Sequence, residues 1–492
     1  MIVARRRSVA VSALLAVLVG GVGACGSPEP TAAPSSTTSL YTTSPSAYEE
    51  QRDAGVIRLL DALSAALTSG RPEQVETLID PLATPEFRRS MREAAADLAA
   101  TPPSASSPAP SSSSASERRP STAAEAPDRG DALVLRALQY RLAPNTGADR
   151  LIGGSLGIRL SEAGSTDSWV SAVTVSYALG GTAVPGVDEP LVQVDQLLAF
   201  ARYGDDWKLL GDGAQIAAPD TDPEAPARPP QLVPWAFPGL RAADVPSGGG
   251  VSSVLSYPGT DRTVAKVRRQ LAPAIEHVTD FWGRDWTRRA VVTVTGTERQ
   301  FAGFTRTEAG QTAAAAAATV YDTIDRAGRT VTGQRVVLSP AAGQLTESGV
   351  AVILRHELFH VATRIDTAVD APMWLTEGVA EYVGRRGSTG TLTDLAPDLA
   401  VEVAAGQLPD ALPPNSAFAV DTPAARVAYQ TAWSFADFVA DEYGEDRLRA
   451  MYSAVARETD EAAVTAALEK TLGTSQGKMI GEWQSWLRNE VR

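Results

Sequence analysis

His356 and His360 stand four positions apart around Glu357 in the run HELFH. Positions i and i+4 of an α-helix share a face, so both imidazoles can reach one ion. Two imidazoles and one further protein donor leave tetrahedral zinc an open position for water, and Glu357, one step round the helix, is placed to take a proton from that water. The chemistry these types and this spacing predict is metal-assisted hydrolysis, with the proton later handed to a leaving amine. The whole chain holds 3 histidines in 492 residues, which makes the pairing a specific signal.

These donors need a rigid support. Residues 334–338 read as a strand ending at Pro340, and residues 348–363 as a helix with Val350, Ile353, Leu354, Leu358 and Val361 as apolar surface. A helix so clothed is expected to be buried, which suits a site whose geometry must be held. The third donor has two candidates. Glu377 lies in PMWLTEGVAEY, after a loop and at the start of a second predicted helix, and Asp366 lies nearer in HELFHVATRID. Zinc is the expected single ion, although Mn²⁺ or Co²⁺ would also suit two imidazoles and a carboxylate.

HELFH followed by WLTEGVAEY resembles the gluzincin metallopeptidases, in which WLxEG carries the glutamate ligand. The resemblance implies His356, His360 and Glu377 as metal ligands and Glu357 as general base. It also implies that Glu381, one turn past Glu377, can hydrogen-bond a ligand histidine and fix its tautomer. Tyr429, in ARVAYQTAWSFADFVADEYG, stands at a place similar to the oxyanion-donor tyrosine of that family. Its alternative is a place in the core stripe of Ala432, Phe435, Ala436 and Val439. The rival Asp366 matches the metzincin-like frame HExxHxxGxxD in its last acid, but that frame turns the chain on a glycine where this sequence has Thr363, and a β-branched residue resists positive φ. Asp366 is then a loop or helix-capping acid. Gly378 and Ala380 keep the second helix slim for packing on the metal helix. The GxMEN run by which related aminopeptidases hold a free N-terminus is absent, which favours endopeptidase action.

His277 falls on a predicted amphipathic helix, residues 261–282, with Val264, Val267, Leu271, Ile275 and Val278 on one stripe and Pro273 inside it, and is read as a structural histidine. Residues 290–296 read as a strand, and Ala313–Ala318 are open between helix and strand. Helices are expected near residues 446–457, 459–472 and 478–490, where Trp483 and Trp486 read as core or docking residues.

Arg5–Arg7, an apolar run from Val9 to Val22 and small residues ending at Cys25 read as a secretory signal over residues 1–25, too short to span a bilayer. Val22-Gly23-Ala24-Cys25 resembles a bacterial lipobox, which implies lipidation (palmitate) of Cys25 and a cell-membrane anchor. Cys25 is the only cysteine, so no intramolecular disulfide can form. A net charge of −14 argues against nucleic acid or anionic lipid as a direct partner of the body of the protein.

Ser, Thr and Pro dominate residues 26–47, a spacer, and Ser and Pro dominate residues 101–128. Between and after them, residues 48–218 show a helical stripe of Ile57, Leu60, Leu63, Ala66 and Leu67 stopped at Gly70. The alternating residues Val173, Val175, Tyr177 and Val192, Val194 follow, then a turn at Tyr203-Gly204-Asp205-Asp206-Trp207. This ending resembles α+β domains of the nuclear transport factor 2 type. Residues 219–250, rich in proline and then glycine, read as a linker, and residues 251–492 as the metallopeptidase domain, with a small sheet and a mostly helical C-terminal half. The expected fold class is α+β throughout. The expected function is hydrolysis of cell-envelope or secreted polypeptides by a membrane-tethered, extracytoplasmic zinc peptidase. The competing reading is a surface lipoprotein whose metal fold serves binding or assembly. Oligomeric state is left open by the sequence.

Overall fold

Each strand of the sheet beneath the HELFH helix sends alternate residues to opposite faces, and both faces are covered. The computed structural model describes residues 47–98, 135–143, 150–152, 154–179, 191–216, 232–305, 315–418 and 422–491. The signal segment, Cys25, the spacer up to residue 46, the insert 101–128 and residues 219–231 lie outside the described residues.

The chain runs α1 (Ala47–Thr68), α2 (Pro72–Leu78), α3 (Pro85–Asp97), β1 (Leu135–Leu142), β2 (Arg150–Leu151), α4 (Gly154–Glu162), β3 (Asp167–Leu179), β4 (Val192–Tyr203), β5 (Asp206–Asp212) and α5 (Gly213–Ile216). β1, β3, β4 and β5 pair in that order, antiparallel, with β2 added beside β3. Tyr203 pairs with Asp206 across the predicted turn, where Gly204 takes a φ of 64°. Val173, Val175, Tyr177, Val192 and Val194 face the core beneath α1. One predicted core residue is misplaced: Ile57 is 46% exposed, and the buried stripe of α1 is Val56, Leu59, Leu60, Leu63 and Leu67. The 4-3-4 spacing of Val56, Leu60, Leu63 and Leu67 follows one helix face more closely than a stripe begun at Ile57.

Residues 232–250, read from composition as linker, are structured instead. A 3-10 turn (Pro234–Ala236) buries Trp235, β6 (Arg241–Ser247) pairs antiparallel with β7 (Gly250–Ser256), and Gly248-Gly249 closes the hairpin. A Cβ at Gly249 would lie 1.8 Å from the Thr287 carbonyl oxygen. The glycines therefore serve a tight approach, and Pro246 is tolerated because β6 is an edge strand.

After these come α6 (Asp261–Trp282), β8 (Val291–Val294), α7 (Glu298–Thr305), β9 (Ala317–Val320), β10 (Thr323–Asp325), β11 (Thr330–Thr332), β12 (Arg335–Leu338), α8 (Glu347–Thr363), α9 (Met373–Arg385), α10 (Leu392–Leu395), α11 (Pro397–Ala404), α12 (Pro423–Tyr443), α13 (Glu445–Val455), α14 (Glu461–Leu472) and α15 (Gln476–Glu490). The second sheet has the order β6-β7-β8-β12-β9, parallel at β7/β8 and β8/β12 and antiparallel at both ends. Of the alanine run, Ala317 and Ala318 lie in β9, while Ala313 and Ala314 lie outside the described residues. Val254, Val292, Val294, Val336 and Leu338 point into a core shared with α6, α8, α9 and α12. Their neighbours Leu255, Val291 and Val337 point the other way, into the core of the N-terminal unit. The architecture is α+β, with a helical C-terminal half. Among the described residues no helix is long and apolar enough to cross a membrane.

Candidate metal centre

Thr346 caps α8, its hydroxyl accepting from the Gly349 amide at 3.1 Å. The helix is buried continuously from His356 to Thr363, so its histidines have no freedom to swing into water. α9 crosses it closely: a Cβ at Gly384 would meet the Val352 carbonyl of α8 at 3.0 Å. Gly378, expected to face the metal helix, instead faces α12, where a Cβ would lie 2.4 Å from the Ala432 carbonyl oxygen. Two glycines about a third of a turn apart round the helix therefore let α9 sit between α8 and α12.

That packing brings His356, His360 and Glu377 together, one ligand atom of each within 4.8 Å of the others. The two Nε2 atoms are 3.1 Å apart, and they lie 3.4 and 3.6 Å from Glu377 Oε2 and Oε1 respectively. Donors 2.0–2.1 Å from a tetrahedral ion are separated by about 3.3 Å, so these spacings fit one zinc-sized cation. Both oxygens of Glu377 are buried without a hydrogen bond. A buried carboxylate is stable only when a cation or donors meet it, and three groups converging in this way supply the place for one. His356 Nδ1 lies 3.1 Å from Glu381 Oε2, and Arg385 Nε donates to Glu381 Oε1 at 2.5 Å. With Nδ1–H held by Glu381, Nε2 is the free lone pair of His356.

The electrostatics of the bare cluster show the same demand for positive charge. Burial works against a charged His356 ring, but Glu377 and Glu381 raise it to about 10. Burial likewise opposes ionisation of Glu377, yet His360 and His356 hold it down at about 2. Glu381 also sits at about 2, Arg385 and His356 overcoming its burial. Glu357 moves the other way, since burial raises it and the histidines and Thr319 only partly offset the effect.

Glu357 Oε2 accepts from Thr319 Oγ1 at 2.6 Å, while Oε1 is buried and unpartnered. Thr319 lies on edge strand β9 and also donates to the Glu357 carbonyl at 3.1 Å. Sequence reasoning missed it, because nothing in an alanine-rich run marks one threonine as the partner of a glutamate 38 positions on. Tyr429 is half-buried on α12, its ring edge-on to Phe418 at 5.0 Å. Burial, then the charges of Glu377, Glu357 and Glu381, push its phenol well above its usual range, so it is held as an O–H donor.

Asp366 is drawn elsewhere. Thr363 continues the chain in a right-handed turn (φ −96°) and donates to the Phe359 carbonyl at 2.9 Å, so Asp366 is carried outward to Arg329 at 3.2 Å and Arg457 at 2.9 Å. His277 Nε2 meets the Val383 carbonyl at 3.0 Å, and its ring is shifted downward by burial and by Arg355 and Arg386. A neutral ring there donates to α9 and ties α6 to it. Trp483 is fully buried, edge-on to Phe435 at 5.3 Å, and Trp486 donates to Asp441 at 3.0 Å.

No protein-family profile matches the sequence, and no curated protein does. Among solved structures, the chain is similar to a two-domain M1 zinc metallopeptidase mutant bound to L-arginine, with 14% identity, a TM-score of 0.30, and 51% of this chain and 52% of that one covered. The chain thus spans about half the length of that protein. It is also similar to an M1 zinc metallopeptidase mutant from Deinococcus radiodurans, with 12% identity, a TM-score of 0.32, and 74% of this chain and 95% of that one covered. At these scores the overlap in shape is small, and the chemistry of this chain is read from its own donor set.

Proposed function

We propose that the chain is a zinc-dependent peptidase, acting as an endopeptidase on cell-envelope or secreted polypeptides from a lipid anchor at Cys25. The observation that carries this reading is the unpartnered Oε1 of Glu357 beside three converging metal donors. A site that only bound metal would have no use for that buried carboxylate. His356, His360 and Glu377 would hold the ion, and Glu381 would orient His356. Bound zinc supplies Lewis acidity, lowering the pKa of water and polarising a carbonyl.

Glu357, fixed by Thr319, takes a proton from the attacking water and delivers it to the amine nitrogen as the C–N bond breaks. One water is consumed, giving a carboxylic acid and an amine. Tyr429 donates its O–H to the oxygen that gains charge at the carbonyl carbon. The N-terminal unit, read as a supporting domain of nuclear transport factor 2 type, packs on the far face of the sheet.

The test is Glu357→Gln. Purified protein should bind one zinc per chain in both forms, and the variant should lose at least about 1,000-fold in peptide cleavage. Zinc binding with equal cleavage in the two forms would leave only the binding or assembly role. Mass spectrometry of the mature N-terminus should find acylated Cys25, and an unmodified thiol would remove the anchor.

A further inference from the structure

Beside His360, between the end of α8 and the start of α9, lies a cavity of about 130 Å³. Its walls include Thr363, Arg364, Thr367, Met373 and Asn415. The volume is close to that of cavities that accept a benzene-sized group, enough for an aspartate or glutamate side chain. Arg364 is 7% exposed, and its Nε is buried with no hydrogen-bond partner. Its guanidinium rests 4.8 Å above the Tyr321 ring, and among the described residues no acid pairs with it. Asp370, at the exposed rim of the cavity, makes no ion pair with it.

An arginine whose Nε is buried without a partner and whose charge meets no acid is a costly arrangement that folding alone does not favour. Capping of α8 does not account for it. The last carbonyls of α8 already have partners: Phe359 from Thr363 Oγ1 at 2.9 Å, His360 from the Arg364 amide, Val361 from Gln334 at 3.2 Å, and Thr363 from Thr367 Oγ1 at 2.9 Å. The opposite wall is the first turn of α9, whose Met373 amide is held by Asn415 at 2.7 Å. That turn is the positive end of the α9 dipole. An anion in the cavity would thus face a guanidinium built for two-point contact with a carboxylate and a helix N-terminus.

We infer that this cavity is a carboxylate subsite anchored by Arg364, which selects peptides with an acidic group next to the scissile bond. The inference rests on the peptidase reading for its biological meaning. Arg364 follows His360 by four positions, so their side chains start about 5–6 Å apart on one face. One extended residue spans about 3.3–3.6 Å, so a residue flanking a carbonyl at the histidines reaches the cavity. The carboxylate could be an Asp or Glu side chain or a free C-terminus.

The test uses full-length protein and two readouts. The first is calorimetric binding of small probes to Glu357→Gln: N-acetylglutamate amide against N-acetylglutamine amide for a side-chain acid, and N-acetylalanine against its amide for a C-terminus. One acid should bind roughly 10- to 100-fold tighter than its amide, with the preference lost when Arg364→Gln is added, partly kept with Arg364→Lys, and zinc content unchanged. The second is kcat/KM on quenched peptides with Glu or Gln at each position flanking the cleaved bond, where the same ratio should appear. Equal binding of acid and amide by Glu357→Gln alone overturns the subsite, even if Arg364 variants do not fold. Selective binding without cleavage of any peptide by wild type leaves the subsite standing and removes the peptidase reading.

Discussion

Both carboxylate oxygens of Glu377 lack a donor while Asp366 is shared between two arginines, and this difference predicts how the two acids respond to removal. Glu377→Ala should lower zinc affinity by more than the roughly 10–100-fold that follows loss of an outer partner such as Glu381. Asp366→Ala should keep one zinc per chain and cost about 0–1 kcal/mol of stability, since Arg329 and Arg457 are largely solvated. Metal analysis after dialysis decides between them, and the reverse pattern would move the site to Asp366. Thr319→Val removes the hydroxyl that holds Glu357 and lowers its pKa. Without it Glu357 protonates at higher pH, so the acid limb of kcat/KM should move upward and kcat fall about tenfold with zinc retained. An unchanged profile would mean Thr319 only packs. HELFH made His356, Glu357 and His360 legible because helix periodicity sets their faces, whereas Glu377 was expected only from the resemblance of WLTEG to the gluzincins. Thr319 was illegible because its contact is set by how β9 lies along α8, which no local spacing encodes.

Helix crossings hold this site, and their close points are glycines whose direction the sequence did not reveal. Gly378 was legible as a small residue, but which helix it would touch depended on the position of α12. α12 carries a strain of its own. Asp437 is largely buried within reach of Asp441, one turn on, and of Glu490 on α15. Burial, then these two acids, raise it from 3.8 to about 6. The folded chain therefore binds this proton more tightly than the unfolded one, so the associated stability is fully present below about pH 4 and is lost as pH rises through 6. Asp437→Asn should match wild type near pH 4 and be more stable by about 1–2 kcal/mol above pH 7. Chemical denaturation at both pH values checks this, and a constant difference across the range would show that the substitution acts through packing.

The two units share one boundary layer. Trp235 packs edge-on to Tyr177 at 4.9 Å and donates to Tyr140 at 3.0 Å, and Tyr257 donates to the Pro234 carbonyl at 2.8 Å. Asp97, at the end of α3, accepts from the amides of Gly239 and Leu240. Leu255, Tyr257, Val291, Phe301, Phe304 and Val337 complete the apolar face toward the N-terminal unit. Each such side chain, returned to water, forfeits about 1.5–3 kcal/mol, a total comparable to the whole stability of an ordinary domain. The proline- and glycine-rich composition of residues 219–250 hid this, because it conceals Val233, Trp235, Leu240 and Ala242, all buried in the shared core. A chain beginning at residue 251 also loses β6 and leaves β7 as a bare edge. It should therefore aggregate or fail to retain zinc, whereas a chain beginning at residue 47 should unfold in one transition and keep its metal. Calorimetry and metal analysis of the two fragments test this. A soluble 251–492 fragment with the zinc content and melting temperature of the longer chain would show that the metal centre stands without its N-terminal support.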